Sequence, residues 1–383
     1  MKQGPIETNL RLFFTADDVD VTQDLLPDLL LLFTYDDKET NEADEIRILL
    51  KDSDGKWAGT WKPDGGESVR AYLSKGATKD LGLNRQELYC GRFFIDHMRV
   101  SGSPRVFELR AISVPLNRPI RRKIRTKGWD QCSLQFIAEE KAKEANLELV
   151  FDSEANPIYD RIDQNRESDL KFLSRICEDE GLSIKVTDEQ LVIFDQSYYE
   201  KKSPVQTITL GESDILSWDF EIEQSETYRF CTVSYRDPKK KVKGSAGSYE
   251  LDELLFGESG DESGDLDTLL FGTEKGVNKA VHTYTAIDES VDENGQEFVL
   301  KKRAKSIGEA QRLATAKLRS LNARRITGSM TLLGDVTLLA GEVVDCQGFG
   351  SFDGHFYIEQ ATHSVSASGY TTTLRLRRVN NQY

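Results

Sequence analysis

The sequence predicts an α+β chain that is mainly β, in which two stretches of short strands flank a smaller unit of helices and strands. Three observations predict it. Short apolar or alternating runs, closed by clusters of Asp, Gly and Pro, fill residues 1–118. Between 119 and 200 the apolar period lengthens from that of a strand to that of a helix. From 201 to 383 the strand pattern returns, with an acidic insertion at about 239–278 and a helix at about 306–322. At 383 residues the chain exceeds one ordinary core, which fits such a division.

Each stretch has its own justification. "LLLLFTYDD", "DEIRILLKD", "LYCGRFFIDHMRVS" and "RVFELRAISV" read as strands separated by the turn formers "DSDG", "KPDGG" and "SGSP", the spacing of a barrel or sandwich. In the middle stretch Leu134, Ile137, Ala138, Ala142 and Ala145 keep helical spacing, with Asp130 or Ser133 available as cap. A second helix follows: Leu170, Leu173, Ile176 and Cys177 share a face, and Phe172 with Ile176 makes an overlapping pair. Asn165 or Ser168 can cap it, and Gly181 can end it in the left-handed conformation. "LSIKV" and "LVIF" across "TDEQ" read as a hairpin. In the last stretch Ser306 and Glu309 form a capping box, and Ile307, Ala310, Ala314, Leu318 and Leu321 make a buried stripe. The insertion repeats "LDELLFG" as "LDTLLFG" across "ESGDESGD", without the residue order of a calcium loop.

Composition narrows the function. A formal charge of −15 disfavours a nucleic-acid reader, which needs a basic face to release counterions. The basic runs "NRPIRRKIRTK" and "DPKKKVK" lack interleaved aromatics and read as loops or strand edges. Five scattered cysteines without a CxxC pair fit a reduced compartment. The start lacks the pattern of a secretory signal, and "LLPDLLLLF" is too short to span a bilayer, so no membrane insertion is expected. Of four histidines, His355 and His363 stand eight apart on an apparent strand, about 26 Å if it is straight, too far to share a metal. "GFGSFDG" sits between strands and suits a turn, not a phosphate loop. Carboxylates among "DQNRESDLKFLSRICEDEG" lie on the wet face of a helix whose thiol, Cys177, faces the core, which is scaffold. No catalytic, cofactor or metal residue is expected.

These motifs resemble a known family, the late control D proteins of phages, which are tail hubs of contractile tails and related injection systems. Gln164, Glu167, Ser168, Asp169, Phe172, Arg175, Glu178 and Gly181 are similar to its central pattern. The end resembles its closing signature: Gly334 before Asp, Gly341 after Ala, a Gly-Phe-Gly turn at Gly348 and Gly350, Gly354, a strand carrying His363, and a strand opened by Gly369, Tyr370 and Thr371. The resemblance implies two β-barrel tube domains, at 1–118 and 201–383, with the α+β domain at 119–200 between or outside them. It implies a homotrimer whose six barrels match a six-fold tail tube at one end and seat a trimeric spike at the other. Its partners would be the tube or tube-initiator protein, the spike and other baseplate proteins, with no cofactor, no specific nucleic acid and no membrane. It would assemble in the bacterial host cytoplasm and end in the virion tail or a released particle. The alternatives are a hub-like enzyme acting on peptidoglycan and a late-gene regulator, and a helix-turn-helix signal for the latter is missing.

Overall fold

In the computed structural model the described residues are 6–14, 19–20, 29–40, 43–63, 67–77, 86–114, 120, 123–187, 189–236 and 281–380. The acidic insertion expected at 239–278 lies outside them.

The first strands are β1 (Ile6–Phe14), β2 (Val19–Asp20), β3 (Leu30–Lys38), β4 (Glu45–Lys51), β5 (Ser68–Ala77), β6 (Gln86–Ser101) and β7 (Val106–Ile112). Burial alternates along β3, β4 and β7, as the apolar alternation of their sequences requires of a sheet with one wet face. The ladder runs β3-β4-β7-β6-β5-β1, with β2 on the outside of β1. Leu10 and Leu12 of β1 and Phe33 and Tyr35 of β3 come from opposite ends of that ladder, yet all four bury in one core with Ile46, Ile48, Phe93 and Phe107. The sheet therefore curls until its two edges face the same interior.

The middle unit contains β8 (Ile124–Ser133), α1 (Leu134–Glu144), β9 (Glu148–Asp152), β10 (Ile158–Ser168), α2 (Asp169–Asp179), β11 (Ser183–Val186), β12 (Gln190–Phe194) and the short α3 (Gln196–Glu200). β8 and β10 form an antiparallel pair, and β11-β12-β9 a three-stranded sheet. Leu134, Ile137, Ala138 and Ala142 of α1, with Ala145 at its C-cap, are all buried, in one cluster with Phe172, Leu173, Ile176 and Cys177 of α2. Ser133 caps α1, accepting from the Phe136 amide.

The last strands are β13 (Gln206–Thr209), β14 (Ile215–Ile222), β15 (Tyr228–Arg236), β16 (Val281–Ile287) and β17 (Gln296–Ala304); then come α4 (Ile307–Asn322), β18 (Ile326–Leu333), β19 (Val343–Gln347), β20 (Gly354–Ser366) and β21 (Gly369–Arg378). They hold two cores where the sequence reading placed one. β16-β15-β17 is a separate sheet, and α4 covers it through Ala310, Leu313, Ala314 and Leu318. Ile307, expected in the buried stripe, is 52% exposed; the stripe rotates toward Leu313 and Asn322. Asn322 explains the rotation. Its amide donates to the Tyr228 carbonyl and to Asp288 at 2.7 Å each, tying the helix end to β15. Ser306 caps α4 as expected, but Glu309 bonds the Lys305 amide at 2.8 Å, one residue outside the standard box.

The remaining strands run β14-β18-β21-β20-β19-β13. That order reproduces β3-β4-β7-β6-β5-β1 strand for strand, although β13 is parallel to β19 where β1 is antiparallel to β5. The two units meet where β3 pairs antiparallel with the second half of β20, which joins them into one 13-stranded sheet.

Candidate functional site

The residues singled out from the sequence gather in two places. The first lies at the start of α2. Ser168, not Asn165, is the cap: its hydroxyl accepts from the Lys171 amide at 3.3 Å, while Asn165 stays in the ladder opposite Thr126. A bulge between Asn165 and Glu167, with Arg166 at φ +48°, turns the chain into the helix. Asp169, expected with the other carboxylates on the wet face, is instead buried, because its carboxylate meets Lys141 Nζ at 2.8 Å and Arg125 Nε at 3.3 Å. Gln164, fully buried, donates from Nε2 to Asp169 and to the Glu167 carbonyl, each at 2.9 Å. Phe172 stacks on Trp129, with centroids 5.1 Å apart, and Arg175 covers Phe172 while pairing with Glu167 at 2.6 Å. Gly181 sits at φ +74° and closes α2 in a Schellman motif, with Leu182 donating to the Cys177 carbonyl and Gly181 to that of Glu178. A Cβ there would lie 3.1 Å from that of Ala316, so the glycine also admits α4.

Chemically this is scaffold. A buried carboxylate neutralised by two cations holds α1, α2 and β8 together, and burial pushes the Cys177 thiol far above its usual range, which removes it as a nucleophile. Sequence reasoning missed Lys141 and Arg125. A signal existed: Lys141 falls on the apolar face of α1, and Arg125 and Lys127 stand at the end of a basic run, in the part that opens β8, where they pair with Glu144, Asp169 and Glu140.

The second place is the seam between the two six-stranded units. His363 on β20 is buried, stacks on Tyr35 of β3 at 5.8 Å, and shares a hydrogen bond of 2.7 Å between Nδ1 and the Tyr370 hydroxyl. Gly334 leaves room for the Tyr370 ring, since a Cβ at that position would lie 2.0 Å from it. Thr371 only pairs along the ladder, with Leu333 and Ser364; its neighbour Thr372 takes the polar role, accepting from the Asp335 amide at 2.9 Å. Gly341, Gly348, Gly350, Gly354 and Gly369 all have φ between +69° and +129° and mark the turns around β19, β20 and β21. His355 lies at the other end of β20, half exposed, 3.9 Å from Asp345.

Beside His363 the middle unit is locked to both six-stranded units. Lys185 of β11 reaches Asp37 at 3.0 Å and Asp44 at 3.2 Å, and the second Asp37 oxygen accepts from the Ala340 amide at 2.8 Å. Burial holds the Asp44 carboxyl up at about 6 against the pull of Lys185. Nearby, Glu200 of α3 accepts from Arg377 at 2.5 Å and from Arg319 at 2.9 Å, and buried Glu39 bonds Gln196 and the Tyr357 hydroxyl. A cavity of about 620 Å³ opens at this joint, lined by charged groups that include Arg319, Arg377, Glu200 and Glu359. These four pair with one another across the joint.

The seam carries a pH prediction. Burial pushes the His363 imidazole down to about 4, so the folded chain favours the neutral ring. A depressed pKa contributes stability that is complete above the unfolded value of 6.5 and is lost as pH falls toward 4. The loss expected over that window is of order 3 kcal/mol. Asp44 works the opposite way, gaining stability as pH falls through about 6, so the histidine is isolated by comparing wild type with His363→Gln. The variant's thermal midpoint is expected to fall less steeply between pH 6.5 and 4; equal slopes would remove His363 as the cause.

Comparison with known proteins decides the family. Residues 114–369 match the family model described as phage tail baseplate hub (GPD). The chain belongs to the phage tail baseplate hub family. Two curated relatives are each a "Probable baseplate hub protein": that of Escherichia phage P2 is 29% identical over 58% of this chain and 56% of its own length. That of Escherichia phage 186 is 26% identical over 94% of this chain and 91% of its own. The match to the P2 protein thus spans little more than half of that relative. The 43 kDa tail protein of prophage MuSo2 from Shewanella oneidensis shares the fold, with a TM-score of 0.65 at 10% identity over 97% of this chain and 98% of that one. As a baseplate hub protein the chain has a structural role in a phage tail.

Proposed function

We propose that this hub protein is a symmetry adapter, a homotrimer that joins a six-fold tail tube to a trimeric spike. The observation that carries it is the internal duplication: one chain contains the same six-strand order twice, so three chains supply six like units. In this reading 1–118 and 201–383 close as tube barrels, 119–200 braces them from outside, and β15–β17 with α4 extend that brace. Closure buries sheet edges that would otherwise invite aggregation. The chain works by shape and needs no catalytic step; it assembles in the bacterial cytoplasm and stays in the tail. Light scattering of the full chain is expected to read about three times 43.3 kDa. A monomer that also fails to co-purify with tube and spike proteins would overturn the adapter reading. Clearing of a peptidoglycan gel by the purified chain would replace it with an enzymatic one.

A further inference from the structure

The duplication extends to single residues. The β3–β4 ladder shifts register between Leu30 and Leu32, and β14–β18 shifts between Ile215 and Ser217. The β6–β7 ladder shifts between Ile95 and His97, and β20–β21 between Ile358 and Gln360. These paired irregularities align β3 with β14 and β6 with β20 residue by residue. Inside the chain, the units join through β20 and β3, with Ala361 opposite Asp37, Thr362 opposite Asp36 and His363 opposite Tyr35. The counterparts of those two strands have the same side open among the described residues. β14 pairs with β18 alone, and β6 beyond Ile95 pairs with β7 alone.

Resting on the trimer reading above, we infer that β6 of one copy pairs antiparallel with β14 of a second copy, in the register that the internal junction sets. Met98 then stands opposite Ile222, Arg99 opposite Glu221, Val100 opposite Phe220 and Ser101 opposite Asp219. The side chains suit one another. Val100, 45% exposed, stands opposite Phe220, and Ile222, 41% exposed, opposite Met98, so each exposed apolar side chain meets an apolar neighbour. Arg99 and Glu221 are both exposed and bring opposite charges to one cross-strand position. Leu216 and Trp218 extend the exposed apolar edge of β14. The contact is head-to-tail, because β6 belongs to the first unit and β14 to the second. Three such contacts alternate with three internal ones and close a ring of six like junctions.

Cysteine pairs in the full chain test the register. Adjacent positions of an antiparallel ladder alternate between close and wide spacing, so two matched pairs cover both cases. These are Met98→Cys with Ile222→Cys, and Arg99→Cys with Glu221→Cys. On oxidation, at least one is expected to give covalent dimers and trimers on a non-reducing gel. The single variants and the mismatched pair Met98→Cys with Phe220→Cys are expected to remain at chain mass. If light scattering gives a trimer and neither matched pair cross-links, the strand junction is wrong and the trimer stands. A wild-type chain that stays at 43.3 kDa at every concentration and also fails to co-purify with tube and spike proteins overturns both.

Discussion

Asp169→Ala is expected to destabilise the chain by about 3–5 kcal/mol, because it leaves the buried Lys141 ammonium without its counter-charge. Lys141 is fully buried, and its ammonium meets Asp169 at 2.8 Å. Glu144, at 3.5 Å and a third exposed, is a poor substitute. The same change removes one of the two acceptors of Gln164 Nε2 and an acidic group from the first turn of α2. Denaturant unfolding followed by far-UV circular dichroism measures the loss. The double variant Lys141→Met with Asp169→Leu separates charge from packing. Replacing a whole buried pair by apolar groups is often near neutral, so it is expected to recover most of the stability. A double variant as unstable as Asp169→Ala would show that the hydrogen bond from Gln164 and the ion pair with Arg125, not the stranded Lys141 charge, carry the cost.

Gly334→Ala is expected to cost about 3 kcal/mol, the upper end of overpacking, from a single methyl group. The methyl would fall 2.0 Å from the Tyr370 ring. That ring cannot swing away freely, since its hydroxyl is tied to His363 and the Gly334 amide donates to the Tyr370 carbonyl at 2.8 Å. Gly350→Ala is the control. It has φ +69° and nothing within 4 Å, so only backbone strain of about 1 kcal/mol is expected. In a Tyr370→Ala background the Gly334→Ala cost should largely vanish, and thermal unfolding of the four-member cycle reads the coupling. Additive costs would place the strain outside the ring.

Much of the middle unit, and the start of α4, was legible in the sequence because the signals are local. Ser133, Ser168 and Ser306 cap helices through bonds to residues three positions away, and Gly181 ends α2 within its own turn. The apolar face of α1 follows from spacing alone. Where a tertiary partner competes with spacing, the reading slipped. Asn322 buries an amide because Tyr228 and Asp288 await it, and Ile307 gives up its place. The cations around Asp169 were hidden for the same reason: Arg125 lies 44 positions away along the chain, and only the fold brings it near.

By itself the sequence determined the element types, the helix caps, the glycine turns and, through its resemblance, the family. These rest on backbone preference and on periodicity, which act between near neighbours. Only the tertiary structure decided which strands pair, and so revealed that one six-strand ladder is used twice and that β3 and β20 weld the copies together. Strand pairing joins residues hundreds of positions apart, and a strand's own sequence shows which face it buries but not which neighbour its hydrogen bonds will meet.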